Sequence, residues 1–151
     1  MIDDVDRMMD IMASAFDPAF GEAWNRRQLS DSIVLPTISY FLVNPHGDIC
    51  AAQDEPAGFA LTRAAPGEEE LLLVAVKQQF RRLGLGRILL DMFQASAASR
   101  GAERILLEMR ANNPAEALYR KFGFEPIGQR KDYYRMVDGS RIDAITFGKT
   151  L

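Results

Sequence analysis

Val5, Met8, Met9, Met12, Ala15 and Phe16 recur at the spacing of one helix face. Asp3, Asp4 and Asp6 gather at the start, where the helix dipole favours negative charge, and the helix is expected to end before Asp17-Pro18. A methionine stripe of this kind predicts core. A second short helix is predicted from about residue 22 to 33, beginning near Glu22. Residues 37–43 are apolar and rich in β-branched and aromatic side chains, the composition of a strand. A turn at 44–48 and a less regular bridge at 51–56 lead to a second strand at 57–64. Pro66-Gly67 then turns the chain into three glutamates, Glu68, Glu69 and Glu70, and an apolar run from Leu71 to Val76 that reads as a buried strand. Ile88, Leu89, Met92, Phe93 and Ala97 share a face of a helix that stops near Gly101. A strand at 104–110, a short helix at 114–122 closed by Gly123, a long strand at 124–134, a hairpin turn at Asp138-Gly139 and a last strand at 144–150 complete the chain. This order predicts an α+β fold, a mixed and mostly antiparallel sheet flanked by helices.

Composition narrows the classes. A chain of 151 residues is long enough for one domain with a substantial core and too short for two ordinary ones, so residues 1–151 are read as a single domain. Apolar content of 48% and charged content of 26% are those of a soluble globular protein. A net charge of −3 argues against a general nucleic-acid binder, while suiting a positively charged partner. The single cysteine, Cys50, rules out an internal disulfide and a thiolate zinc site, and reads as a small buried or edge residue. The single histidine, His46, sits in the turn Asn44-Pro45-His46-Gly47-Asp48 and reads as solvated. The acidic start, Met1-Ile2-Asp3-Asp4, lacks the signal-peptide pattern, and nothing approaches the ~18 apolar residues of a membrane span. A cytoplasmic protein, monomeric or weakly dimeric, is expected, with no membrane or nucleic-acid partner.

The segment Arg81-Arg82-Leu83-Gly84-Leu85-Gly86-Arg87 lies between the buried strand and the amphipathic helix. Two glycines one residue apart let the backbone turn sharply and leave free N–H groups at a helix N-terminus, an anion cradle that the arginines reinforce. A Walker loop needs Gly-x4-Gly-Lys-Ser/Thr, which is absent. A dinucleotide fingerprint needs a third glycine where Leu89 stands. The remaining pattern, Arg-x-x-Gly-x-Gly, resembles the acetyl-CoA loop of the GNAT N-acetyltransferase superfamily. A second signature follows: Asn112-x-x-Ala115-x-x-Leu118-Tyr119-x-x-x-Gly123-Phe124. Glu108 with its flanking residues, Arg130-x-x-Tyr133-Tyr134, and Asp138-Gly139-x-x-x-Asp143-Ala144 resemble the ribosomal-protein-alanine N-acetyltransferase branch, over residues 68–147 well and over the first half weakly. The chain departs from that branch twice. The first strand of the family is missing or very short, and one residue fewer separates glutamate from tyrosine.

The resemblance implies a GNAT fold whose central strands splay to bind acetyl-CoA, with no metal. Backbone groups of Val74, Ala75 and Val76 would line the pantetheine arm, with the Val76 N–H polarising the carbonyl. The amides of residues 82–87, introduced by Arg81, would hold the diphosphate. Asn112 keeps the family spacing to Tyr119, and Asn113 keeps it from Glu108, so either is a candidate cofactor contact. Glu108 is the candidate base; its apolar strand should partly desolvate it, although a salt bridge to a neighbouring arginine is the alternative. Glu68, Glu69 and Glu70 are competitors, of which at least two are expected to be plain solvated strand entry. Tyr119 is the candidate acid for the departing thiolate, or a core residue with a hydrogen-bonded tip. Tyr133, Tyr134, Arg130 and Trp24 are candidates for the acceptor groove, or cross-strand packing. The implied acceptor is the N-terminal alanine of a ribosomal protein. An α-amine suits one modest base, because deprotonating a lysine at neutral pH costs roughly 3.5 kcal/mol more. A small amine, a lysine side chain or a non-catalytic acyl-CoA-binding module are the competing readings.

Overall fold

Asp3 opens the first helix with a capping box. Its carboxylate accepts from Asp6 N at 2.8 Å, and Asp3 N donates to the Asp6 carboxylate at 3.3 Å. The computed structural model describes residues 3–16 and 23–151. Within them α1 (Asp4–Ala15) and α2 (Arg26–Ile33) precede β1 (Ile38–Val43), β2 (Gly58–Ala65) and β3 (Glu68–Val76). There follow α3 (Leu85–Ser99), β4 (Arg104–Arg110), α4 (Glu116–Phe122), β5 (Glu125–Arg135) and β6 (Arg141–Thr150). Order and type match the sequence expectation. Three boundaries are corrected. Asn25, capped reciprocally with Gln28, starts α2 at Arg26 rather than near Glu22, which lies outside the described residues along with the break at Asp17-Pro18. Asn113 Oδ1 accepts from Ala115 N at 2.9 Å and holds residues 113–115 in a turn, so α4 begins after Ala115. The last strand starts at Arg141, three residues before the expected Ala144. Among the described residues no strand precedes α1.

The six strands form one sheet in the order β1-β2-β3-β4-β6-β5. Every pairing is antiparallel except β3 with β4. Helices cover both faces. On one, Met8, Ile11 and Met12 of α1 and Leu29 of α2 pack on Phe59, Leu61, Leu73 and Ala75. On the other, Leu89, Leu90, Phe93 and Ala97 of α3 join Tyr119, Phe122, Phe124 and Phe147. The methionine stripe is core, as expected. On α3 the buried face turns slightly from the expected one: Leu85 and Leu90 are buried, whereas Ile88 and Met92 are half-buried.

At the acidic start of β3 one of the three glutamates is not solvated strand entry. Glu69 is 2% exposed and takes a two-pronged bond from Arg100, with Nε at 2.8 Å. Glu68 and Glu70 pair with Arg104 and Arg63. A buried carboxylate needs such a partner. Arg100→Ala is therefore expected to destabilise the fold by about 2 kcal/mol, discounted for the half-exposed guanidinium, read as a lower urea midpoint at unchanged slope.

Candidate active site

The site begins with one extra residue. β2 and β3 keep register from Gly58↔Val76 to Leu61↔Leu73, then shift to Thr62↔Leu71, which leaves Leu72 unpaired. A bulge of this kind bends its strand. It also changes which face each side chain meets. Leu71 packs with the α3 layer, Leu72 and Leu73 with the α1 layer, and Val74 with the α3 layer again. The parallel pairing of β3 with β4 spans Glu68↔Arg104 to Leu71↔Leu107 and ends at this point. Beyond it the two strands part.

The parting exposes backbone. Lys77 N donates to Ala57 O at 2.9 Å, which fixes the ladder parity. The N–H and C=O groups of Leu73 and Ala75 point at β2, and those of Val74 and Val76 point into the split. A cleft of ≈ 870 Å³ occupies it, walled by residues 72–76 on one side and Glu108, Met109 and Arg110 on the other. This is ample for a cofactor-sized ligand.

The loop after β3 forms the mouth. Arg82 (φ 67°) and Gly84 (φ 79°) are both left-handed. Gly84 is the N-cap of α3, and the first helical bond runs from Ile88 N to Gly84 O at 3.1 Å. The amides of Leu85, Gly86 and Arg87 thus lack intrahelical acceptors and stand at the positive end of the helix dipole. Gly86 packs closely against α4: a Cβ there would lie 3.1 Å from Leu118 Cδ2. Arg81, Arg82, Gly84, Leu85, Gly86 and Arg87 line the cleft. Leu83 does not, and its side chain is exposed. The arginines are partly committed elsewhere. Arg81 donates to Ala15 O at 2.6 Å, tying the end of α1 to the loop, and Arg87 stacks on Phe122 at 4.8 Å.

Glu108 and Tyr119 both line the cleft. Glu108 lies opposite Thr146 in the β4–β6 ladder. Thr146 Oγ1 donates to Glu108 Oε2 at 3.1 Å, and Arg130 Nε lies 3.4 Å from the same oxygen. The arginine pairing weighed for Glu108 therefore coexists with its place in the cleft. Tyr119 is buried and meets Phe124 edge to face at 6.1 Å. It therefore packs in the core and lines the cleft at once. Glu68, Glu69 and Glu70 lie on β3 before the bulge, and none lines the cleft.

Of the two asparagines, Asn113 lines the cleft and Asn112 does not. Asn112 is left-handed (φ 65°), and its carbonyl accepts from Arg110 Nη1 at 3.3 Å. At the acceptor end, Trp24 and Tyr134 line the cleft, whereas Tyr133 and Arg130 do not. Tyr133 is a crossing point for packing: it meets Tyr134 edge to face at 5.2 Å and carries Arg130 at 4.8 Å. The single histidine lies away from the cleft, its amide donating to Asn44 Oδ1 at 2.9 Å in the expected turn. Cys50 also stays outside the cleft walls, and burial pushes its thiol up. Sequence reasoning missed Thr146, Leu118 and Gln28. Only Leu118 carried a signal, as part of the second motif.

The acetyltransferase (GNAT) family model matches residues 5–124. The [ribosomal protein bS18]-alanine N-acetyltransferase of Salmonella typhimurium is 40% identical over 95 residues, 62% of this chain and 64% of that protein. The protein of the same name from Escherichia coli is 41% identical over 90 residues, 59% of this chain and 60% of its own length. The matched region thus spans less than two thirds of these curated relatives. The crystal structure of the ribosomal-protein-S18-alanine N-acetyltransferase from Escherichia coli superposes with a TM-score of 0.80 at 30% identity, covering 99% of this chain and 90% of that one. Arabidopsis thaliana NAA60 in complex with a bisubstrate analogue superposes with a TM-score of 0.69 at 16% identity, covering 85% and 83%. At that identity the likeness concerns fold alone.

Proposed function

The chain belongs to the GNAT acetyltransferase family, and from that premise we propose that it transfers acetyl from acetyl-CoA to the α-amine of an N-terminal alanine, with a ribosomal protein as acceptor. The observation that carries the first half is the split between β3 and β4, where the Val74 and Val76 amides face a cleft that ends at the amides of residues 85–87. An extended chain with amide groups can pair with the first set. A diphosphate suits the second. Bound there, acetyl-CoA supplies the acetyl thioester. Names of relatives support the second half, and a ribosomal acceptor implies a cytoplasmic enzyme.

The chain's own residues divide the remaining work. Glu108 takes the proton from the attacking amine, directly or through one water. The Val76 N–H is the candidate donor to the thioester oxygen as charge develops there. Tyr119 O–H gives its proton to the departing sulfur. Asn113, on the cleft wall beside α4, is favoured over Asn112 as the cofactor contact. Trp24 and Tyr134 are the candidate acceptor contacts.

The reading is tested by mass analysis of peptides incubated with acetyl-CoA and protein. Peptides beginning with alanine, serine or methionine compete with an N-terminally blocked peptide carrying an internal lysine. Acetylation of the alanine peptide ahead of the others is expected. Modification of the blocked peptide alone would overturn the acceptor assignment.

A further inference from the structure

The antiparallel register of β4 and β6 sets Glu108 directly across from Thr146, so their side chains leave the sheet on the same face. Both recorded contacts of the Glu108 carboxylate engage Oε2: Thr146 Oγ1 at 3.1 Å and Arg130 Nε at 3.4 Å. Neither uses Oε1. The two partners are not equivalent. The Arg130 side chain is 59% exposed, and an ion pair in that setting is screened and mobile. Thr146 is half-buried, with a β-branched side chain stiff at χ1, within the run 144–150 that pairs in unbroken register with β4. Its hydroxyl is the fixed end of the arrangement.

We propose that Thr146 is a positioning residue for the reaction: its hydroxyl pins Oε2 of Glu108 and so turns Oε1 toward the amine whose proton it takes. The inference rests on the reading of Glu108 as the base. Thr146 touches no reacting atom in this scheme. It sets the rotation of the carboxylate about its last side-chain bond, a torsion with no sharp preference of its own.

The test compares Thr146→Val, Thr146→Ser and each in a Glu108→Gln background, with acetyl-CoA and the alanine peptide. Valine keeps the shape and β-branching and removes the donor. Thr146→Val is expected to lower kcat about 10-fold, the low end of the scale for one hydrogen bond to a charged group, with KM for acetyl-CoA and the thermal midpoint unchanged. Thr146→Ser is expected to return kcat to within about twofold of wild type, since the hydroxyl is restored. In the Glu108→Gln background neither change should matter. Wild-type kcat in Thr146→Val, alongside a Glu108→Gln enzyme that has lost turnover, overturns the positioning role alone. So does an equal loss with and without Glu108, or a serine variant no better than the valine. Full turnover in Glu108→Gln removes the base itself, and the inference with it.

Discussion

Replacing Glu108 with glutamine is expected to lower turnover about 100-fold or more, with little change in acetyl-CoA affinity. Glutamine has nearly the same shape and still offers an oxygen to Thr146 Oγ1. What it loses is the ability to hold a proton. It also loses the charge that attracts Arg130, but that guanidinium is largely in water, where such a pair contributes about 0–1 kcal/mol. The two accounts of Glu108 therefore separate cleanly. A structural salt bridge predicts a small fall in stability with rate intact. A base predicts normal stability with rate lost. Steady-state rates, calorimetric binding of acetyl-CoA and a urea curve on the same variant decide between them. Turnover within about threefold of wild type would mean that the amine arrives already deprotonated, which an α-amine with a pKa of roughly 7.7–8.0 makes chemically conceivable.

Much of the fold was legible because its signals are local. Helical spacing of Met8 and Met12, the glycine pair at 84 and 86, and the turn at Asp138-Gly139 each sit within a few residues. The order of elements followed from them. The bulge at Leu72 was not legible, because Leu71-Leu72-Leu73 is uniformly apolar and a slip in register leaves no mark on such a run. Yet that slip accompanies the parting of β3 from β4 that creates the cleft. Which of the three glutamates is buried was not legible for the opposite reason. Three consecutive glutamates look solvated, and the buried middle one depends on Arg100, a residue 31 positions away. The Glu108–Thr146 pair spans 38 positions and exists only through the β4–β6 register. Asn113 lines the cleft and Asn112 does not because of a backbone detail, a left-handed residue at 112 followed by a side-chain turn at 113. Candidate residues on the two motifs were thus readable by type and order. Their partners were not.

Tyr119→Phe is the sharper probe of the other end of the reaction. It deletes a single oxygen from a ring whose packing, edge to face with Phe124 at 6.1 Å and within the α3-layer core, is otherwise kept. A purely packing tyrosine would lose about 1 kcal/mol of stability with its hydroxyl and keep its rate. If the hydroxyl protonates the departing thiolate, turnover is expected to fall about 100-fold with acetyl-CoA binding intact. The pH profile adds a second readout. Loss of the acid's proton produces the alkaline limb of the wild-type rate, and that limb should vanish in the phenylalanine variant. The double variant with Glu108→Gln should fall less than the product of the single losses, since two groups acting on one transfer are not additive. An unchanged rate and an unchanged alkaline limb would return Tyr119 to the core it also belongs to, and leave the sulfur to depart unprotonated or by way of water.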